Sequence, residues 1–343
     1  MTKFTQKLNP NLFEKNVEKV STRVGFGQGL VLAGEGDQAV VALCADLTES
    51  VHMDKFRDKF PQRFFEVGVA EQNLASVASG MSAMGKIPFI GSYAIFSPGR
   101  NWEQIRTTIC YNNRAVIIVG SHSGVSVGPD GGSHQALEDI SMMRSLPNMT
   151  VISPCDYLEA RKATVAASES DSPVYLRLNR DKTPIITTED TPFEIGKAQL
   201  FYGHGSDSSI SLGASKADVG IIATGSLVYK ALRVAQDISK SGKGSIKAKV
   251  LNISTIKPLD TEAVIKIAKS CGAIVTVEEH QIIGGLGSAV AECLSQNLPT
   301  PIEFIGVYDQ FGQSGTPSEL LKYYKMDESD ILDAVKKVLK RKL

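Results

Sequence analysis

Short apolar runs recur along the chain with room for one helix between neighbours: AVVALCA (39–45), KIPFIGSY (86–93), AVIIVGS (115–121), MTVISP (149–154) and PVYLRL (173–178). Their apolar positions are successive rather than alternate, as in strands buried on both faces. Helix-period segments at 11–32, 70–84, 101–111, 134–145 and 156–168 lie between them. Strands and helices in alternation predict a doubly wound parallel sheet. Residues 181–218 break the pattern: DKTPIITTEDTP and GHGSDSSISLGASKAD are rich in Pro, Thr, Gly and Ser and read as a linker. A second, smaller α/β unit follows, with strands at 219–224, 247–252, 273–277 and 302–306 and helices at 226–240, 260–270 and 286–296. Two short helices end the chain. The expected fold class is α/β with two doubly wound domains, at 1–187 and 219–343, joined by a linker at 188–218.

Composition narrows the partners. The 343 residues suit two domains. Lys plus Arg and Asp plus Glu balance at 37 each, which gives no electrostatic case for nucleic acid or a membrane. The polar start MTKFTQKLNPNLFEKNVEKV has no apolar signal-peptide core, and no apolar run approaches the roughly 20 residues of a membrane span. Five cysteines, at 44, 110, 155, 271 and 293, form no CxxC pair. That excludes a disulfide framework or zinc site and favours a reduced, cytoplasmic setting.

One helix carries a charge in an awkward place. In RFFEVGVAEQNLASVASGMSAMGK (63–86), Leu74, Val77, Ala78 and Met81 share a face, and Glu71 lies on that face in the first turn. Gly85 and Pro88 mark the end of the helix. A first-turn carboxylate suits the helix dipole. The apolar approach FFEVGVA nevertheless predicts burial, and a buried carboxylate must find a partner or a proton. No cation is evident nearby in sequence, so a ligand that needs a buried acid is the sharper reading.

Two phosphate-loop lookalikes fail. GMSAMGKI (80–87) lacks the final Ser/Thr and ends a helix instead of opening one. GGLGSAV (284–290) lacks the dinucleotide fingerprint, although it could hold an anion at a helix N-terminus. The segment VGSHSGVSVGPDGGSHQALEDISMMRSLPNMTVISPCD (119–156) is richer. It has glycines at 120, 124, 128, 131 and 132, with His122, Asp130 and His134 among them. It follows a strand, and in a doubly wound sheet such loops build the site. Histidines there can bind or protonate hydroxyls and carbonyls.

With FFEVGVAEQN, this segment resembles the pyrimidine-binding and C-terminal domains of transketolase, and the resemblance runs in order over essentially the whole chain. It implies that the first domain binds thiamine diphosphate, with Glu71 bonding the pyrimidine ring nitrogen. In the family that bond promotes the imino tautomer, which removes the thiazolium proton. Tyr93 and Phe96 match aromatics that stack on the ring; Ser97, Pro98 and Gly99 fall where a third is usual. Asp46 matches an aspartate beside the cofactor. Arg23, Ser50, His122 and Arg180 match the residues that hold the sugar phosphate, and Arg suits that anion because its fork donates two charge-assisted bonds. Asp130 and His134 match contacts to substrate hydroxyls near the reacting carbon. Glu71, His122 and His134 are thus the catalytic candidates.

The local AEQN is closer to separate-subunit transketolases and to 1-deoxyxylulose-phosphate synthase than to full-length transketolases, while LPNMTVISPCD favours transketolase. The family's Mg²⁺–diphosphate domain carries a Gly-Asp-Gly followed by an Asn ligand, and no such unit remains unassigned here. The resemblance therefore implies the C-terminal subunit of a split transketolase. It would transfer a two-carbon ketol group between sugar phosphates of the pentose phosphate pathway. Its partner would be an N-terminal, diphosphate-binding subunit that ligates Mg²⁺, and self-dimerisation through the C-terminal domain would give a heterotetramer. The alternatives are the beta subunit of a 2-oxoacid dehydrogenase, which has no need of the phosphate set, and a 1-deoxyxylulose-5-phosphate synthase-like enzyme.

Overall fold

The computed structural model describes residues 2–3, 7–204, 216–240 and 245–342. The first sheet has seven strands, in the order Thr255–Lys257, Thr150–Ile152, Val174–Arg177, Ile117–Ser121, Ile87–Tyr93, Val40–Cys44 and Phe64–Glu66. All pairings are parallel except that of Thr255–Lys257. The central strands are buried along their whole length, as their continuous apolar sequences predict. One face is covered by the helices Thr22–Gly36 and Tyr157–Ser168, with Phe26, Leu30, Ala160 and Ala163 in the core. On the other, Leu74, Ala75 and Ala78 of the helix Glu71–Ala83 pack with Ile105, Ile109 and Met143. The chain runs from Val40–Cys44 outward to Phe64–Glu66 and then back past it to Ile87–Tyr93, so the order reverses there. The crevice beyond the strand ends at such a reversal is where open α/β sheets bind ligands.

The second sheet runs Thr2–Lys3, Gln199–His204, Ala248–Asn252, Val219–Ala223, Ile274–Gln281 and Ile302–Val307. Its last four strands are parallel. The expected linker is corrected here: Gln199–His204 pairs antiparallel with Ala248–Asn252 and buries Leu200 and Phe201. Its apolar positions QLFY were masked by the Gly/Ser-rich stretch that follows; residues 205–215 of that expected linker lie outside the described residues. Each domain also lends a strand to the other's sheet: Thr255–Lys257 joins the first, and Thr2–Lys3 joins the second.

Three expected helices differ. The one placed at 11–32 is the helix Thr22–Gly36, preceded by the strand Lys19–Ser21. Ser21 stops it from starting earlier: its Oγ accepts the Arg23 N–H, while Lys19–Ser21 pairs with Lys182–Pro184. The one placed at 134–145 is Asp139–Arg144, because Gln135 and Ala136 remain in the loop. Gln135 Nε2 donates to Val125 O and Gln313 O, each at 3.0 Å, and Ala136 bridges Ser123. The one placed at 101–111 begins as the single turn Trp102–Gln104 and widens to a π pitch over Ile105–Cys110.

Candidate functional site

The strands Val40–Cys44, Ile87–Tyr93, Ile117–Ser121 and Val174–Arg177 end at one edge of the sheet, and Asp46, Tyr93, His122 and Arg180 follow or close them. Asp46, His52 and His122 hold left-handed backbone angles there, with φ of 59°, 62° and 55°. Such angles are uncommon outside glycine, Asp and His adopting them more readily than most residues, and they recur at functional sites.

Glu71 opens its helix and is 2 % exposed, the burial expected from its apolar approach. The cation that sequence reasoning missed is Arg100: its Nη1 donates to Glu71 Oε2 at 2.7 Å. The Arg100 guanidinium also sits 4.8 Å from the Phe96 ring centroid. The chain turns back here, with Arg100 N donating to Phe96 O, and this brings FSPGR over the helix start. Asn101 Nδ2 donates to the Glu71 carbonyl at 2.9 Å and fixes that approach. Arg100 is 49 % exposed, so its guanidinium can return to water, but the buried carboxylate it leaves must then find another partner or a proton.

From Glu71 a row of rings leads along the crevice. Tyr93 stacks on His122 at 3.7 Å between centroids and lies near-parallel to Phe96 at 6.0 Å. His134 meets Phe96 edge-on at 5.5 Å. Beyond His122 come the arginines. Arg23 Nη1 lies 3.4 Å from His122 Nε2 and donates to the Ser50 carbonyl, and its Nη2 donates to the Arg180 carbonyl at 3.0 Å. Arg180 Nη1 donates to Val127 O at 2.6 Å. Arg23, Arg180 and His52 line a cleft of about 510 Å³ with Lys19, Ser21 and Lys182.

Burial, and after it the neighbouring charges, set the protonation of His122. Burial, then Arg23 and Arg180, push its pKa down to about 2. Arginine can only donate, so Nε2 is left as the acceptor facing Arg23, and the proton sits on Nδ1, 2.9 Å from Ser121 Oγ. His134 has its own hydroxyl, Ser133 Oγ, 3.0 Å from Nδ1. Burial and Arg180 also lower the pKa of Arg23.

The predicted residues are therefore grouped, but unevenly. Pairwise contacts run from Glu71 through Arg100 to Phe96, Tyr93 and His122 and on to Arg23 and Arg180, with His134 against Phe96. Ser50 enters through its carbonyl. Asp46 is exposed, and its N–H donates to Glu66 Oε1 at 2.7 Å. Glu66 was missed by sequence reasoning. It also takes Thr48 Oγ1 and Gly68 N, and so organises the loop ahead of Glu71. Asp130 is exposed at the end of the 3₁₀ turn Val125–Asp130.

The glycines of the histidine loop have a use that the sequence did not disclose: the second domain's segment 312–317 lies directly on them. A Cβ on Gly132 would fall 2.5 Å from Gly312 O. The GGLGSAV helix N-terminus is also accounted for. Glu278 occupies it, accepting from Leu286 N at 2.7 Å and Gly287 N at 2.8 Å, so no external anion is needed there.

Fold and lining together define a two-domain α/β protein whose crevice joins a buried acid, a row of aromatic rings and an arginine pair. Residues 18–185 match the family described as Transketolase, pyrimidine binding domain, and residues 211–331 match Transketolase, C-terminal domain. A 6-deoxy-6-sulfo-D-fructose transketolase subunit, SqwH, of a Clostridium species is 38 % identical over 96 % of this chain and 98 % of its own length. A solved structure described as a split gene transketolase, inactive beta4 tetramer, is 41 % identical, with a TM-score of 0.84 over 94 % of this chain and all of that one. Transketolase-like protein 2 of Mus musculus is 36 % identical, but this chain covers only 49 % of it. The chain belongs to the transketolase family and aligns end to end with subunits of its split members.

Proposed function

We propose that the chain acts as the C-terminal subunit of a thiamine-diphosphate-dependent transketolase and moves a two-carbon ketol group from a ketose phosphate to an aldose phosphate. The observation that carries this reading is the buried Glu71 carboxylate at one end of a ring-lined crevice, with Arg23 and Arg180 at the other. The residues fit the cofactor. Glu71 is buried at the helix start, its only ion-pair partner among the described residues is the half-exposed Arg100, and Tyr93 and Phe96 offer parallel faces. Glu71 would hold the pyrimidine nitrogen, Tyr93 and Phe96 would flank the ring, and Asp46 would sit beside it. Arg23, Ser50, His122 and Arg180 would hold the sugar phosphate. Neutral His122 offers it no charge, so the two arginines supply the attraction. Asp130 and His134 would contact the hydroxyls near the reacting carbon, where His134 can carry a proton. When bound, thiamine diphosphate supplies the carbanion chemistry that a protein side chain cannot.

The partner in this reading is an N-terminal subunit that binds the diphosphate and ligates Mg²⁺, with a heterotetramer formed from two of each chain in a reducing, cytoplasmic compartment. In this reading the first domain ends at 187, and the second includes the strand Gln199–His204. Relatives are named for sulfofructose and apulose phosphate, so the sugar is a matter for assay. The test is ketol transfer by the co-expressed pair, offered xylulose 5-phosphate and ribose 5-phosphate and, separately, 6-deoxy-6-sulfofructose. Glu71→Ala should leave the chain folded and lower kcat by roughly 10²–10⁴-fold, the range for a lost acid–base group. Undiminished turnover would remove Glu71 from this role, and activity on pyruvate with an electron acceptor would point to a 2-oxoacid dehydrogenase instead.

A further inference from the structure

One carboxylate of the second domain is bonded to the segments that carry the site residues. Glu279 closes the run of consecutive buried acids Glu278–Glu279 on the strand Ile274–Gln281 and is 3 % exposed. A carboxylate in that position needs donors on both oxygens. Oε1 accepts the Ser126 N–H of the histidine loop at 2.6 Å. Oε2 accepts Ser226 Oγ at 3.0 Å and Asn179 Nδ2 at 3.3 Å. The Glu279 carbonyl takes Arg177 Nη2 at 2.9 Å, and Arg177 is itself paired with buried Asp139.

Each of these partners sits next to a site residue. Ser126 precedes Val127, whose carbonyl receives the Arg180 guanidinium. Asn179 precedes Arg180, and its N–H donates to Thr22 Oγ1 at the start of the helix that carries Arg23. The fit on the loop side is close: a Cβ on Gly124 would lie 2.3 Å from Glu279 Oε1, and Gly124 has φ of 78°. One carboxylate therefore ties the loop between His122 and His134 to the segment that bears Arg180. Glu279 does not line the cleft of Arg23 and Arg180, but its partner Ser126 does.

We propose that Glu279 is a positioning residue: from the second domain it sets the register of the histidine loop against Arg180, and so the spacing between the phosphate-holding and hydroxyl-holding ends of the site. This rests on the ketol-transfer reading given above and adds to it a role for the C-terminal domain beyond dimerisation. The alternative is domain glue, in which Glu279 only holds two domains together.

Two variants and two readouts separate these. Glu279→Gln keeps an acceptor for the Ser126 N–H and can donate to Ser226 Oγ, losing only the longer bond from Asn179 Nδ2; Glu279→Ala removes every side-chain bond and leaves the Arg177 bond to the backbone carbonyl. On the chain alone, hydrogen exchange of the Ser126 and Val127 amides should be about tenfold faster in Glu279→Ala, the scale of one lost buried hydrogen bond, with exchange in the strands Val219–Ala223 and Ala248–Asn252 unchanged. With the partner subunit, Glu279→Ala should lower kcat/KM by roughly 10²-fold, chiefly through KM for the sugar phosphate, as displaced binding groups do. Glu279→Gln should recover most of that loss. Loop exchange equal to wild type overturns the proposal, as does faster exchange spread evenly over the second domain, or equal KM in all three proteins with only the melting temperature lowered. If the wild-type pair shows no ketol transfer, the functional reading fails separately, and loop exchange still decides the positioning.

Discussion

Glu71 and His122 are both buried titratable side chains, and the fold satisfies them in opposite ways. Glu71 has a cation in Arg100. His122 faces two cations and stays neutral. The sign of its effect on stability follows. An unfolded histidine takes up a proton near pH 6.5, whereas folded His122 does so only near 2. Between those values the unfolded chain binds more protons, so this contribution is present above about pH 6.5 and is lost as pH falls. His280, pushed down to about 4 by burial, acts in the same direction. Glu278, pushed up to about 7 by burial, acts oppositely between its unfolded pKa and 7. His122→Gln isolates the first term. Urea denaturation between about pH 5 and 6.5 should show a stability slope shallower than wild type by up to about 1.4 kcal/mol per pH unit. Parallel slopes would mean that His122 takes up a proton without unfolding.

At the scale of elements, the histidine loop is closely packed against the second domain. In the sequence its glycines marked a site-building loop after a strand. In the structure they let a second backbone, residues 312–317, lie against it. Gly132→Ala tests this, because its Cβ would meet Gly312 O, a backbone atom that cannot swing away. A loss of about 1–3 kcal/mol is expected from such overpacking, read as a lower urea midpoint. A midpoint equal to wild type would show that the two segments can separate freely. The helix Thr22–Gly36 carries a related lesson. Its start at Ser21 rather than at residue 11 puts Arg23 in the first turn, where its side chain reaches Ser50, His122 and Arg180.

For the whole molecule, the domains are not independent beads. Thr255–Lys257 completes the first sheet and Thr2–Lys3 extends the second. Asn252 Nδ2 crosses to Glu159 Oε1 at 2.8 Å, and the core under the second sheet takes in Val125, Leu137 and Cys155 from the first domain. This coupling is what allows a C-terminal residue to act on the site. Val69, two residues ahead of Glu71, is 69 % exposed. Mixed with a diphosphate-binding subunit, the chain should elute from size exclusion as one larger species containing both. Separate elution at micromolar concentration would sink the two-chain reading.

The alternation of two-sided apolar strands with helices was enough to fix the α/β class, the order of the main elements and the burial of Glu71, because these follow from local periodicity and from the cost of desolvating a charge. The short edge strands Lys19–Ser21, Phe64–Glu66 and Lys182–Pro184 escaped notice, since three residues carry too little period to read. Family resemblance named the ring and phosphate residues. Only the tertiary structure decided how they are held. The ion pair of Arg100 with Glu71, the neutral state of His122, and the grip of Glu279 and residues 312–317 on the histidine loop are contacts between residues 29 to about 190 positions apart or products of the field that those contacts create. A hydrogen bond needs its donor and acceptor within about 3 Å, and distance in space is what a linear pattern of residue types leaves open.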